Sequence, residues 1–125
     1  MSVIVRDDGF HAEDWLGEIT EVPADTAIAA VAGLAAAGQG GMLRVAFPSF
    51  ADGRGFTLGR RLRDAGFTGR LRAAGPVLAD QYAMARRSGF DEVEIPDDLA
   101  ARQPEDQWLF RADWRAGSYR ARLKG

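Results

Sequence analysis

Leu62-Arg63-Asp64-Ala65-Gly66-Phe67-Thr68-Gly69-Arg70-Leu71-Arg72-Ala73-Ala74 is followed by a second version of the same plan, Ala85-Arg86-Arg87-Ser88-Gly89-Phe90-Asp91-Glu92-Val93-Glu94-Ile95. Each begins at the end of an apolar-striped helix, stops it with glycine, and returns through phenylalanine into a short strand. Glycine suits the left-handed C′ position that closes a helix, and the phenylalanine can fold back on the last turn. Gly66–Phe67 and Gly89–Phe90 stand 23 residues apart, so the stretch reads as two turns of one helix–strand unit. Such a unit predicts parallel strands at 70–74 and 92–95 joined by crossover helices.

Reading outward, Met42 to Phe47 is a third parallel strand, apolar except for Arg44. The helix that follows runs to Ala65, capped by Thr57, with Leu58, Leu62 and Ala65 on its buried stripe. The next runs from about Val77 to Ser88 with Leu78, Tyr82 and Ala85 inward. Upstream, Val3 to Val5 reads as a short strand, and the acidic stretch around Trp15 as irregular. Pro23, Asp25 and Thr26 open a helix through Ala37, with Asp25 as N-cap and Ile28, Val31, Leu34 and Ala35 on one face. Gly38, Gly40 and Gly41 end it. In the last strand Val93 and Ile95 face one way and Glu92 and Glu94 the other, which suggests an edge or a partly open sheet.

The expected fold is therefore α/β: a small, mainly parallel open sheet, or a partial β/α barrel of three or four strands, with crossover helices. That is too few strands to close a barrel. Residues 1–125 read as a single α/β domain with a β/α core at 40–95. Residues 96–125 form an aromatic and basic C-terminal tail that packs on the core or on a partner. Asp97 to Glu105 is a loop or one helical turn; Trp108 to Leu123 is a strand and helix, or one irregular helix. Trp108, Phe110 and Trp114 have few evident partners within so short a chain. With an apolar edge or face in need of cover, a homodimer is expected.

Composition bounds the chemistry. A chain of 125 residues, 46% hydrophobic and 27% charged, can bury one core. There is no cysteine, which removes disulfides, thiolate chemistry and cysteine-held clusters or zinc. The lone histidine, His11, does not build a metal site and is expected to face solvent. No metal and no cofactor is expected. The start MSVIVRDDGF lacks a signal-peptide core, and Thr26 to Gly38 is too short to span a bilayer, so a cytoplasmic location without membrane association is expected. Of 16 basic residues only Lys124 is lysine, which with the many Ala and Gly reads as a GC-rich bacterial genome.

A net charge of −2 gives no overall attraction to nucleic acid, but the charge is uneven. Residues 1–26 carry seven acids against Arg6, and residues 54–72 six arginines against Asp64. Residues 91–106 carry seven acids against Arg102, and residues 107–125 five bases against Asp113. Either these surfaces neutralise one another, or a basic face is kept for an acidic partner or an anionic ligand. The tail, for all its aromatic and arginine residues, lacks a nucleic-acid motif, and a packed or partner-docking role is expected instead.

In parallel sheets the loops at the carboxyl ends of strands gather on one side, where ligands bind. The first such loop is Phe47-Pro48-Ser49-Phe50-Ala51-Asp52-Gly53-Arg54-Gly55-Phe56-Thr57. Gly53 and Gly55 let backbone amides approach a ligand, the helix start favours an anion, and Arg54 adds a forked donor. The spacing fits neither a Walker loop nor a dinucleotide fingerprint. Equally, Asp52 can satisfy the loop amides and pair with Arg54. The second loop, from Gly75, leads to Asp80 and Gln81, where Arg72 could reach Asp80 as a structural tie. Phe47–Thr57, Arg72, Gly75, Asp80 and Gln81 make up the candidate ligand- or partner-binding surface. No catalytic residue stands out: Ser49 has no placed base, and the separation of Asp52 and Asp80 is not fixed by sequence.

Phe47-Pro48-Ser49-Phe50, Asp52 to Thr57, Leu62-Arg63, Gly66-Phe67-Thr68-Gly69, Leu71-Arg72-Ala73, Gly75, Asp80-Gln81 and Arg86 to Asp91, in that order, carry a family resemblance. The chain resembles the bacterial family domain of unknown function 934 over roughly 40–95, while the N-terminal part and tail match poorly. The family is labelled an oxidoreductase of sulfite reduction, and its members are encoded beside assimilatory sulfite reductase. The resemblance implies a place in sulfate assimilation. Members of the resembled family often carry cysteine where this chain has Ser88, which leaves any thiol role unsupported here. Without thiol, cluster or nucleotide motif, two expectations remain. One is an accessory protein docking on sulfite reductase or its electron donor. The other is a protein binding a small anion or phosphorylated cofactor at Asp52–Thr57.

Overall fold

The computed structural model describes residues 2–115. Its strands are β1 (Ser2–Arg6), β2 (Gly9–His11), β3 (Ile19–Val22), β4 (Met42–Ala46), β5 (Arg70–Ala74) and β6 (Glu92–Pro96). Its helices are α1 (Val31–Gly38), α2 (Arg54–Asp64), α3 (Tyr82–Arg87), α4 (Asp97–Arg102) and α5 (Glu105–Leu109). The strands form one open sheet in the order β2-β1-β6-β5-β4-β3. Neighbours from β3 through β6 are parallel, while β1 lies antiparallel to β6 and β2 antiparallel to β1. The small, mainly parallel α/β fold is as expected, with six strands in place of three or four.

The repeated glycine–phenylalanine stop closes α2 and α3 in the same way. Gly66 has φ +99° and Gly89 φ +106°. The Phe67 amide donates to the Leu62 carbonyl and the Phe90 amide to the Ala85 carbonyl, both at 3.1 Å. Each helix thus ends in a Schellman motif that swings a phenylalanine into the core and starts the next strand. Phe67 and Phe90 are both buried.

All five helices feed one core. Val31 and Ala35 of α1, Leu58 and Leu62 of α2, Tyr82 and Ala85 of α3, Leu99 and Trp108 meet the sheet face formed by Val5, Val22, Leu43, Val45, Leu71, Ala73, Val93 and Ile95. The strands from β3 to β6 follow one another in order across the sheet, so every crossover moves in one direction and lays its helix on the same side.

Several expectations are corrected. β6 is not an edge; it lies between β5 and β1. The stretch read as irregular holds β2 and β3. The chain enters α1 through a 3-10 turn, Ile28–Ala30, with no side-chain cap from Asp25, and Ile28 is exposed. A second 3-10 turn, Ala79–Gln81, leads into α3. Helix α2 starts at Arg54, three residues before Thr57, so Thr57 does not cap it, and Ala65 is exposed. Of the loop or single helical turn expected at 97–105, the helical alternative holds, as the six-residue α4. Trp108 is buried, edge-on to Tyr82 with ring centroids 6.1 Å apart. Trp114 packs under Arg86 at 4.8 Å. Both therefore have partners inside the chain. The proposed structure beyond residue 115 lies outside the described residues. No described helix is long and apolar enough to cross a membrane.

Candidate functional site

The expected site sits on two loops that the structure does bring together. Gln81 is the clasp: its side-chain NH2 donates to the Phe50 carbonyl at 2.8 Å, and its Oε1 accepts from the Leu78 amide at 2.9 Å. The loop after β4 is thereby tied to the loop after β5. Phe47 leaves β4 by donating its amide to the Ala74 carbonyl at 2.8 Å and buries its ring against Phe56 and Phe90. Gly75, with φ +144°, passes so close to the Phe47 carbonyl that a Cβ would collide with it. Gly55 lies against the Phe47 ring in the same way. These glycines let two loops touch, which is a packing role.

Asp52 fills the start of α2 itself. Its Oδ1 accepts from the Arg54 amide at 3.1 Å, and its carboxylate takes the Arg54 guanidinium in a forked pair, 3.0 Å from Nε and 2.6 Å from Nη2. The Arg54 side chain, with its amide, holds the Asp52 carboxyl down to about 2. The anion position at this helix start is thus taken by the chain's own carboxylate. Gly53 is the N-cap residue and makes no side-chain bond. Pro48, Phe50 and Thr57 are exposed.

Arg72 belongs elsewhere. It is the middle residue of β5 and faces away from the helices, so it does not reach Asp80. It is fully buried, bonded to Glu92 at 2.6 Å, to Glu94 at 2.9 Å and in a fork to Glu13 at 2.7 and 2.6 Å. Burial works against its charge, but the bonds to Glu13 and Glu92 outweigh that and raise its pKa above the ordinary value. Asp80 is exposed and makes no ion pair among the described residues. It lines a groove of about 530 Å³ with Leu78, Gln103, Asp106, Phe110 and Arg111.

Sequence reading missed the face on which Arg72 lies. Arg44 of β4 stands opposite Arg72 of β5, an unfavourable pairing of like charges. Glu94 Oε1 resolves it by accepting from Arg72 at 2.9 Å and Arg44 at 3.1 Å. Arg44 also pairs with Glu21 on β3, and Glu92 with Arg6 on β1 at 3.0 Å. Asp14 ties Arg6 at 2.6 Å and Arg70 at 3.4 Å, and Trp15 lies 5.2 Å over the Arg70 guanidinium. The sheet face without helices is therefore a closed ion ladder strapped by residues 13–15. It corrects the expectation of an apolar face needing cover. The signal was in the sequence: Arg70 and Arg72 alternate with Leu71 and Ala73, as Glu92 and Glu94 do with Val93 and Ile95.

A further hub joins the first turn to α3. Asp7 accepts from the Tyr82 hydroxyl at 2.6 Å and from Arg86 at 3.1 Å. Burial and the neighbouring Asp7 push the Tyr82 phenol above its ordinary range. The described residues hold no cluster of three or more potential metal ligands from His, Cys, Asp and Glu.

Fold and site together define a small α/β protein with one helix-covered face, one ion-laddered face, and cross-tied loops at the carboxyl ends of its strands. The chain belongs to the family described as bacterial protein of unknown function (DUF934), whose model matches residues 21–119. The match reaches well beyond the 40–95 core, taking in the end of β3, α1 and the helices after β6. No curated protein and no solved structure matches the chain.

Proposed function

We propose that this chain is an accessory protein of assimilatory sulfite reduction that docks on sulfite reductase or its electron donor and does not itself carry the redox step. The pathway in this proposal rests on what the family resemblance implies. The observation supporting docking is an arrangement of exposed aromatics around tied loops. Phe50 is 56% exposed on a loop held by Gln81, and Phe110 is 78% exposed on the groove that Asp80 lines. The seven-residue connection from Phe47 to Gly53 is slightly longer than most strand-to-helix turns, and the Gln81 side chain fixes it at the Phe50 carbonyl. Exposed aromatics on rigid supports are the usual anchors of protein interfaces.

The reading of the Asp52–Thr57 loop as a small-anion cradle is less well supported, because Asp52 already takes the amide and guanidinium of Arg54. A homodimer is part of the proposal, through the outer edge of β3, which among the described residues pairs with no strand on that side. Co-purification of the tagged chain from cells growing on sulfate tests the docking, and growth of a deletion strain on sulfate tests the pathway. Sedimentation at micromolar concentration tests the dimer, and a monomer there would remove it.

A further inference from the structure

We infer that the groove between α2 and α3 is a docking surface for an acidic, amphipathic helical segment of a protein partner. Six arginines lie between residues 54 and 72. Four are answered within the fold: Arg54 by Asp52, Arg63 by Asp91, Arg70 by Asp14 and Glu92, and Arg72 by Glu13, Glu92 and Glu94. Arg60 and Arg61 make no ion pair among the described residues, and both line this one groove.

Their placement is ordered. Thr57, Arg60, Arg61 and Asp64 recur at helical spacing and form one stripe along α2, each of them exposed. Opposite them Met84 of α3 is 53% exposed, and Phe56 contributes a second apolar wall. Arg87, one turn after Met84, does not line the groove; its guanidinium donates to the Trp114 carbonyl at 2.9 Å, so Arg60 and Arg61 supply the positive rim. Asp64 offsets only part of this, so the groove of about 350 Å³ joins a net positive rim to apolar walls. That combination fits an amphipathic helix with leucine-like residues on one face and carboxylates beside them. Methionine adapts to such a partner because its side chain is unbranched and flexible. A nucleic-acid strand fits less well, given the chain's net charge of −2 and the acidic segments on either side of this stretch.

The inference goes beyond the aromatic edge at Phe50 and Phe110 and does not depend on the identity of the partner. The probe is a labelled synthetic peptide about four helical turns long, leucine on one face and glutamate on the other, read by fluorescence anisotropy against the full chain. A peptide of the same composition in permuted order is the comparison. The full chain is expected to bind the amphipathic peptide saturably and the permuted one about tenfold more weakly. Arg60→Glu with Arg61→Glu, and separately Met84→Glu, are expected to weaken binding about tenfold with unchanged circular dichroism. Phe50→Asp should bind as the unaltered chain does. Absence of saturable binding, or indifference to the arginine reversals or to the permutation, overturns the inference. If sulfite reductase is still captured in those cases, the docking proposal stands without this groove. If the groove binds and sulfite reductase is not captured, the reverse holds.

Discussion

The Arg72 guanidinium lies 2.6 Å from the Glu92 carboxylate across the parallel pair β5 and β6, with side-chain exposures of 0% and 1%. Neither charge can return to water without opening the strap that holds Glu13 over them. Arg72→Met therefore leaves buried Glu92 with Arg6 alone at short range, Glu94 with Arg44 and Ser2, and Glu13 without its arginine, and it should destabilise the fold by about 3 kcal/mol. Adding Glu92→Gln to that variant should recover part of the loss. Urea denaturation measures both, and equal stability of Arg72→Met and the unaltered chain would show that the ladder is not needed.

Two glycines should respond in opposite directions. Gly75 holds φ +144° beside the Phe47 carbonyl, so Gly75→Ala should destabilise by about 2 kcal/mol and loosen both loops. Gly33 lies inside α1 with open space where a Cβ would be. Gly33→Ala should stabilise by about 0.5–1 kcal/mol. Thermal melts of the pair separate backbone strain from helix propensity.

The carboxylates predict an acid limb of stability. Arg72 draws Glu13 below its ordinary value of 4.5. Burial raises Glu94, but Ser2, Arg72 and Arg44 bring it below the same value. Asp7 is likewise lowered from 3.8 by Tyr82 and Arg86 against the effect of burial. The unfolded chain takes up these protons at a higher pH than the native fold does. Their contribution is therefore fully present above the ordinary carboxylate range, and is lost as pH falls through the native values. The melting temperature should be level from about pH 5 to 8 and drop below about pH 4. In an NMR titration Asp52 should have its midpoint at about 2, returning toward 3.8 in Arg54→Met.

How much of this was legible depended on whether a local signal matched a local structure. The Gly66–Phe67 and Gly89–Phe90 stops are backbone chemistry within one turn, and they correctly give β4, β5, β6 and the helices between. β3 was missed because Ile19-Thr20-Glu21-Val22 is a short alternating run inside acidic sequence, where charge obscures the β-branched pattern. Arg72 lies close to Gly75 in sequence, which places it with the loops until its partners across the sheet are known. Alternation marks a charged face on each strand, and the strand register then brings Arg44, Arg72, Glu92 and Glu94 onto one surface. The clasp by Gln81 joins residues 31 apart, a pairing no periodicity encodes. Trp108 and Trp114 looked unpartnered because Tyr82, Arg86 and Asp7 reach them only through tertiary folding.

The central claim is that the tied loops display Phe50, with Phe110 beside them, as anchors for a redox partner. The most direct test is biolayer interferometry of the full chain against purified sulfite reductase and, separately, its electron donor. The account predicts saturable binding to one of them, with Phe50→Asp and Phe110→Asp together weakening it at least about tenfold while the melting temperature stays unchanged. Absence of saturable binding to either protein, or equal binding by the double variant, would contradict it.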